Sequence, residues 1–313
     1  MAAAAALWRL ARPFTLVAPA VGMVSGSLVA VGLERHKLDI GETQGYGILP
    51  GYLPRILAGA LMAALLNIAS NAVNQIFDVG IDRVNKPQRP LPAGEMTVRE
   101  AWMAAAATAS AAFAIALRLN VATFVIVLFT ALVVYCYSGP PLRTKRFWWA
   151  ANPTIAIPRG TLLFVAGWTA IRGHDGIDSM PLWVIGAMYG LFVLGAATTK
   201  DYADMKGDAA GGCVTLPIRF GVRRSVWITA PFLVLPWLLI PAGVLAHGNT
   251  SRQGIFHAAL GVALAGWGAY IVRLLLRDPG ALTTAKTHPS WVHMYLLMVA
   301  AQVGVAAGFW LPR

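Results

Sequence analysis

The chain has 313 residues, of which 58% are hydrophobic and 12% charged, with a formal net charge of +12. Together with a mean hydropathy of +0.63, this excludes an ordinary soluble domain, which needs far more polar surface to cover its core. The basic residues are spread over short loops between apolar segments, with no basic helix or zinc-finger spacing, so nucleic acid is excluded as a partner and the charge is read as setting membrane orientation.

A bilayer core about 30 Å thick takes about 20 apolar residues of helix. In chain order such spans are predicted at 14–33, 53–74, 99–117, 121–139, 150–171, 181–200, 225–246, 254–275 and 290–311. The expected fold is an all-α membrane protein, nine transmembrane helices forming a single domain over 1–313. Arg9 and Arg12-Pro13 border the first apolar stretch, which reads as a transmembrane helix rather than a cleaved signal peptide. The third and fourth spans are joined so tightly, at Arg118–Asn120, that they must form an antiparallel hairpin. With the N-terminus placed in the cytoplasm, most lysines and arginines share the cytoplasmic side, Lys286 among them. The opposite side keeps Arg35, Lys37, Arg55, Arg118, Arg172, Arg252 and Arg313.

Two acidic clusters interrupt this apolar pattern. N-Q-I-F-D-V-G-I-D at the end of the second span holds Asn74, Asp78 and Asp82; K-D-Y-A-D-M-K-G-D at the end of the sixth holds Asp201, Asp204 and Asp208. On a continuous helix these spacings put each trio on one face. Carboxylates crowded together repel, and a divalent, oxygen-seeking ion such as Mg²⁺, bridging to a phosphate-bearing substrate, is the simplest compensation. A plain solvated loop, with the aspartates paired to Arg83, Lys86 and Arg89, explains the charge balance but neither the spacing nor its recurrence. Both clusters fall on the cytoplasmic side and, with their flanking basic loops, suggest a weak internal pseudo-repeat.

Prolines at 87, 90 and 92 stiffen the segment after Asp82, where Arg83, Lys86 and Arg89 can neutralise phosphate oxygens. Lys200 and Lys206 suit a diphosphate, and Gly207, Gly211 and Gly212 permit a tight turn over a ligand. After the fourth span, Tyr137 to Arg146 supplies Tyr137, Arg143 and Lys145 as a tyrosyl and basic wall, or simply as interfacial anchors. Arg159 lies inside a span, where a charge costs at least about 2.5 kcal/mol. It is read as facing a cavity and an anionic group of an acceptor, in preference to snorkelling to the interface. The six histidines show no ligand spacing, and no nucleotide-binding glycine motif accompanies these sites. Cys136 and Cys213 form no metal or disulfide pattern. Trp8, Trp148, Trp149 and Trp291 are assigned to an interfacial aromatic belt.

Arg12-Pro13, the N-x-x-x-D-x-x-x-D set at Asn74/Asp78/Asp82 and R-P-L-P-A-G at Arg89–Gly94 are joined by two longer motifs. These are Y-S-G-P-P-L-R-T-K-R at Tyr137–Arg146 and K-D-x-x-D-x-x-G-D at Lys200–Asp208. With this set the chain resembles the UbiA superfamily of intramembrane prenyltransferases over nearly its whole length. Gln75 is a departure, since many members carry aspartate there. The resemblance implies nine helices around a central cavity and a Mg²⁺ cofactor held by Asn74, Asp78, Asp82, Asp201, Asp204 and Asp208. It further implies an isoprenyl diphosphate donor gripped by Asn74, Arg83, Lys86, Arg89, Arg143, Lys145, Lys200 and Lys206. The catalytic set is then Asp78, Asp82, Asp201, Asp204 and Tyr137, with Arg159 toward a hydrophobic or amphipathic acceptor. The expected reaction is transfer of the isoprenyl group to an aromatic, quinone- or chlorophyll-type acceptor at a cytoplasm-facing site. Transfer to a glyceryl phosphate lipid precursor is the alternative, suggested by G-G-C-x-T-L-P-I-R-F-G. A membrane terpene cyclase and, outside the class, a secondary transporter complete the readings.

Overall fold

The computed structural model of the protein describes residues 2–37, 48–284 and 287–312. Lys286 and Arg313, and the side chains of Arg35 and Lys37, which carried part of the orientation reading, lie outside the described residues. A short helix α1 (Ala2–Ala11) leads through a 3-10 turn at Pro13–Leu16 into α2 (Val17–Lys37). There follow α3 (Leu49–Phe77), α4 (Val79–Asn85), α5 (Val98–Leu119) and α6 (Val121–Ser138). Next, α7 (Trp148–Ala156) passes through a π-helical turn at Ile157–Leu162 into α8 (Leu163–Arg172). The remainder comprises α9 (Met180–Ala196), α10 (Thr198–Ala210), α11 (Leu216–Phe220), α12 (Val222–Ala246), α13 (Arg252–Arg277), α14 (Ala281–Thr284) and α15 (Pro289–Gly308).

Among the described residues nine helical segments are long and apolar enough to cross a membrane, one for each expected span. No strand occurs there; an isolated bridge pairs Phe147 with Val214. Two boundaries differ in a way that matters for the site. The second span runs three residues beyond its expected end, to Phe77, and breaks at Asp78 before α4 restarts at Val79, so Asn74, Asp78 and Asp82 do not share one continuous helix. The sixth continues as far as Ala210, so that the whole second cluster lies on a helix.

Local signals in the sequence account for the turns. Thr97 and Glu100 form a reciprocal capping box that starts α5. Asn120 accepts from Thr123 N at 2.9 Å and starts α6, closing the expected hairpin; the same side chain donates to Thr169 O at 2.8 Å, fixing the hairpin to α8. The α2–α8 crossing depends on small residues. A Cβ on Gly26 would stand 2.2 Å from Phe164 O, and one on Gly167 would stand 2.2 Å from Met23 O. Backbones that approach this closely are the usual solution for helices packed in lipid. Ser27 Oγ donates to Gly167 O at 2.8 Å across the same contact. The large buried core is built from Phe164, Trp168, Tyr189, Phe192 and Trp237.

Candidate active site

Asp78 stands at the break between α3 and α4. Asn74 donates to its Oδ2 at 2.8 Å and to Ser138 Oγ at 3.2 Å, so the end of α3 is tied to the end of α6. Lys145 is in ion contact with Asp78, and Arg143 approaches the same carboxylate at 3.5 Å. Burial pulls the Lys145 ammonium down to about 8; the Asp78 contact works the other way and favours its charged form. Asp82 is buried, and Arg89 Nη1 lies 2.7 Å from both of its oxygens.

The second cluster is joined directly to the first. Lys86 Nζ lies 2.6 and 2.5 Å from the two oxygens of Asp204. Asn85 donates to Asp204 O at 2.8 Å and accepts from Gly207 N at 2.8 Å. A Cβ on Gly207 would stand 2.4 Å from Asn85 Cγ, and one on Gly211 would stand 2.4 Å from Ile81 Cγ1. These two glycines therefore allow α4 and α10 to lie against each other, a different service from the flexible turn expected of them. Gly212, at φ 70°, makes that turn. Cys213, buried behind it, donates its N–H to Asp208 O at 2.8 Å; burial pushes its thiol up. Val214 N donates to Arg146 O at 3.0 Å, so the basic loop after α6 is laced to the end of the second cluster.

A cavity of about 310 Å³ lies beside these pairs. Asn74, Lys86, Tyr137, Arg159, Lys200 and Asp204 line it. Lys200 Nζ sits 5.9 Å from the Tyr137 ring centroid, within cation–π range. Arg159 reaches the cavity from the π-helical turn, a distortion that often marks functional positions. Asp78, Asp82, Arg89, Arg143 and Lys145 do not line the cavity but are held in the pairs just described; Asp201, buried, and Asp208 are also off its wall. Arg83 and Lys206 are exposed, outside the cavity and in no ion pair among the described residues.

Several lining residues carried no role in the sequence reading. Arg12 enters the cavity from a left-handed backbone at φ 53°. Burial, and then the neighbouring Arg89 and Arg159, hold its guanidinium down to about 10. Its place is set by three amides on one face of α3. Asn67 donates to Thr15 O at 3.0 Å, Asn71 to Ala11 O at 2.9 Å and Gln75 to Leu10 O at 3.0 Å. Gln75 thus secures the N-terminal segment, and an aspartate there would have no donor for that carbonyl. Trp291 lines the cavity and packs on Phe14 and Tyr295, at 5.5 and 5.4 Å between ring centroids, instead of belonging only to an interfacial belt. The spacing Asn67, Asn71, Gln75 was readable as a stripe, but its partners were not.

The acidic residues offer only hard oxygen donors, the chemistry that suits Mg²⁺ over a thiophilic metal. Among the described residues no three histidine, cysteine or acidic side chains converge closely enough to hold an ion. Asp78, Asp82 and Asp204 are turned instead to Lys145, Arg89 and Lys86. The donor types fit the ion; the rotamers serve the ion pairs.

Residues 46–297 match the UbiA prenyltransferase family. The chain is 31% identical to probable homogentisate phytyltransferase 2, chloroplastic, of Oryza sativa subsp. japonica over 82% of its length and 67% of that protein. It is 33% identical to digeranylgeranylglyceryl phosphate synthase of Methanoculleus marisnigri over 58% of the chain and 63% of that protein. The chain therefore spans about two thirds of these relatives. The solved structure of a UbiA homolog from Archaeoglobus fulgidus bound to GPP and Mg²⁺ superposes with a TM-score of 0.66 at 20% identity, covering 96% of this chain and 99% of that one. This last likeness establishes the fold.

Proposed function

The chain belongs to the UbiA prenyltransferase family, and from that membership we propose that it transfers an isoprenyl group from a polyprenyl diphosphate to an aromatic acceptor within the membrane. The observation that carries the reading is the Lys86–Asp204 pair at the cavity wall, which brings a cation after the first acidic cluster onto the second cluster. The nine helices form a bundle around this cavity, with the N-terminus and the site on the cytoplasmic side, in keeping with the loop charges. Mg²⁺ would be held by Asp78, Asp82, Asp201, Asp204 and Asp208 with Asn74, and when bound it supplies charge neutralisation at the departing diphosphate.

The chain's own residues do the rest. Lys86, Lys200 and Arg12 line the cavity as the cations that meet diphosphate oxygens. Arg89, Arg143 and Lys145 hold the aspartates in place from behind. Cleavage of the allylic C–O bond leaves a cation that must be kept from water, and an apolar chamber does so. Tyr137, already against a lysine ammonium, presents a ring face that stabilises positive charge on carbon. Arg159 receives an anionic group of the acceptor.

Glyceryl phosphate as the acceptor is the second reading, favoured by the similarity to the M. marisnigri synthase. Mass spectrometry of products from purified protein, Mg²⁺ and a panel of prenyl diphosphates and acceptors tests both. Formation of a cyclic hydrocarbon without an acceptor would indicate a cyclase, and proteoliposome uptake without diphosphate release would indicate a transporter.

A further inference from the structure

The inner part of the cavity holds an amide that none of the roles above employs. Gln302 on α15 lines the cavity yet is only 1% exposed. Its Oε1 is buried without a partner, and its Nε2 makes no hydrogen bond among the described residues. Its backbone carbonyl accepts from Ser25 Oγ at 2.7 Å. A buried amide left unpaired is costly, and native proteins keep few of them.

Its depth is set by the helix that carries it. His288, Trp291, Tyr295, Met298 and Gln302 line the cavity in that order. At 1.5 Å per residue, Gln302 stands about 10 Å past Tyr295 along α15. A Cβ on Gly22 would lie 2.7 Å from both Gln302 Nε2 and Leu163 Cδ2, and Leu163 directly follows the π-helical turn that carries Arg159. The amide is therefore a near neighbour of the turn that brings a guanidinium to the same cavity.

An isoprenyl tail has no hydrogen-bonding atom and would leave both ends of this amide unpaired. A hydroxyl both donates and accepts, so it satisfies the amide in either rotation about its last bond. We propose that Gln302 is a specificity-determining residue: it bonds a hydroxyl of an acceptor whose anionic group is met by Arg159, while the prenyl tail follows the apolar walls. This rests on prenyl transfer being the reaction. A dihydroxyphenyl acid such as homogentisate carries this pair of groups, and so does a glyceryl phosphate ether.

The test uses the full chain with Mg²⁺ and geranylgeranyl diphosphate. The acceptors are homogentisate, its two monomethyl ethers, each masking one hydroxyl, and geranylgeranylglyceryl phosphate, whose single free hydroxyl is itself the oxygen alkylated. With the true acceptor, Gln302→Met raises acceptor KM by about tenfold or more and leaves donor KM and Tm near wild type. With homogentisate, masking one particular hydroxyl costs wild type a similar factor and costs the variant nothing. The acceptor that is prenylated and whose KM rises in the variant identifies which of the two sources the site serves. A rise in donor KM alone would place the tail at Gln302 and overturn the proposal. An active wild type whose acceptor KM is unchanged by Gln302→Met, or a variant that only loses Tm, reduces Gln302 to packing. A wild type that makes no product from any pair overturns the underlying reaction, and the proposal with it.

Discussion

Lys86 and Asp204, from the segments after the second and sixth spans, meet with both carboxylate oxygens within 2.6 Å of one ammonium. Their side chains are 32% and 18% exposed, so the pair is worth at most about 1 kcal/mol of stability. Its importance is expected in turnover. Lys86→Met should lower kcat/KM for the donor by about a hundredfold or more with Tm nearly unchanged, the loss expected for one charge-assisted contact to a diphosphate. Activity within a few fold of wild type would remove Lys86 from the site.

The Asp82–Arg89 pair behaves differently because both side chains are enclosed. Asp82→Ala would strand the Arg89 guanidinium, whose side chain is only 14% exposed, at a cost of up to about 3–5 kcal/mol. Thermal unfolding in detergent with EDTA present should show a large drop for Asp82→Ala and a small one for Asp204→Ala. Both should lose turnover. Equal Tm values would mean that Arg89 finds water when its partner is removed.

Asn85 forms two hydrogen bonds that clip α4 to α10. Asn85→Ala should cost about 1–3 kcal/mol and weaken donor binding, although Asn85 itself carries no charge. Gly207→Ala pushes into the same asparagine and should give the same pair of effects. Hydrogen exchange of the segment around 79–85 is a direct check, with faster exchange expected in both variants.

Removing divalent ions should weaken binding of a non-hydrolysed prenyl diphosphate analogue by at least about tenfold, since charge-assisted contacts to phosphate depend on neutralised carboxylates. Calorimetry with EDTA, then with excess Mg²⁺, measures this. The same affinity in both conditions would leave the aspartates as structural partners of Lys145, Arg89 and Lys86. Asp78→Ala should abolish the response to Mg²⁺ while the protein remains inserted.

The α2–α8 crossing gives a prediction independent of chemistry. Gly167→Ala sets a methyl group against the Met23 carbonyl, which is backbone and cannot rotate away. Overpacking of this kind costs about 1–3 kcal/mol, read as a lower Tm. Gly266→Ala, where a Cβ meets nothing within 4 Å, is the control and should hold or gain stability.

Much of this was legible in the chain. Apolar runs of membrane-spanning length marked nine spans, and the hairpin at Asn120 followed from the short connection there. The acidic clusters stood out because carboxylates are scarce elsewhere. What stayed hidden depends on contacts distant in sequence. Nothing near Asn85 or Gly207 signals that they meet, and periodicity gives no hint that Gln75 serves Leu10. Regular spacing also made Asn74, Asp78 and Asp82 look like one helical face, whereas the helix breaks at Asp78. Trp291 matched an interfacial tryptophan in composition, and only the fold shows it on the cavity wall, packed on Phe14 and Tyr295.

The amides of Asn67, Asn71 and Gln75 hold carbonyls of a segment that leaves the ribosome well before they do. Until α3 is made, the carbonyls of Leu10, Ala11 and Thr15 lack these partners. The contacts that fix the N-terminal segment are therefore complete only once α3 has been made. Arg12, next to the Ala11 carbonyl that Asn71 holds, depends on those contacts, so the cationic wall of the cavity is built by the second span as much as by the first.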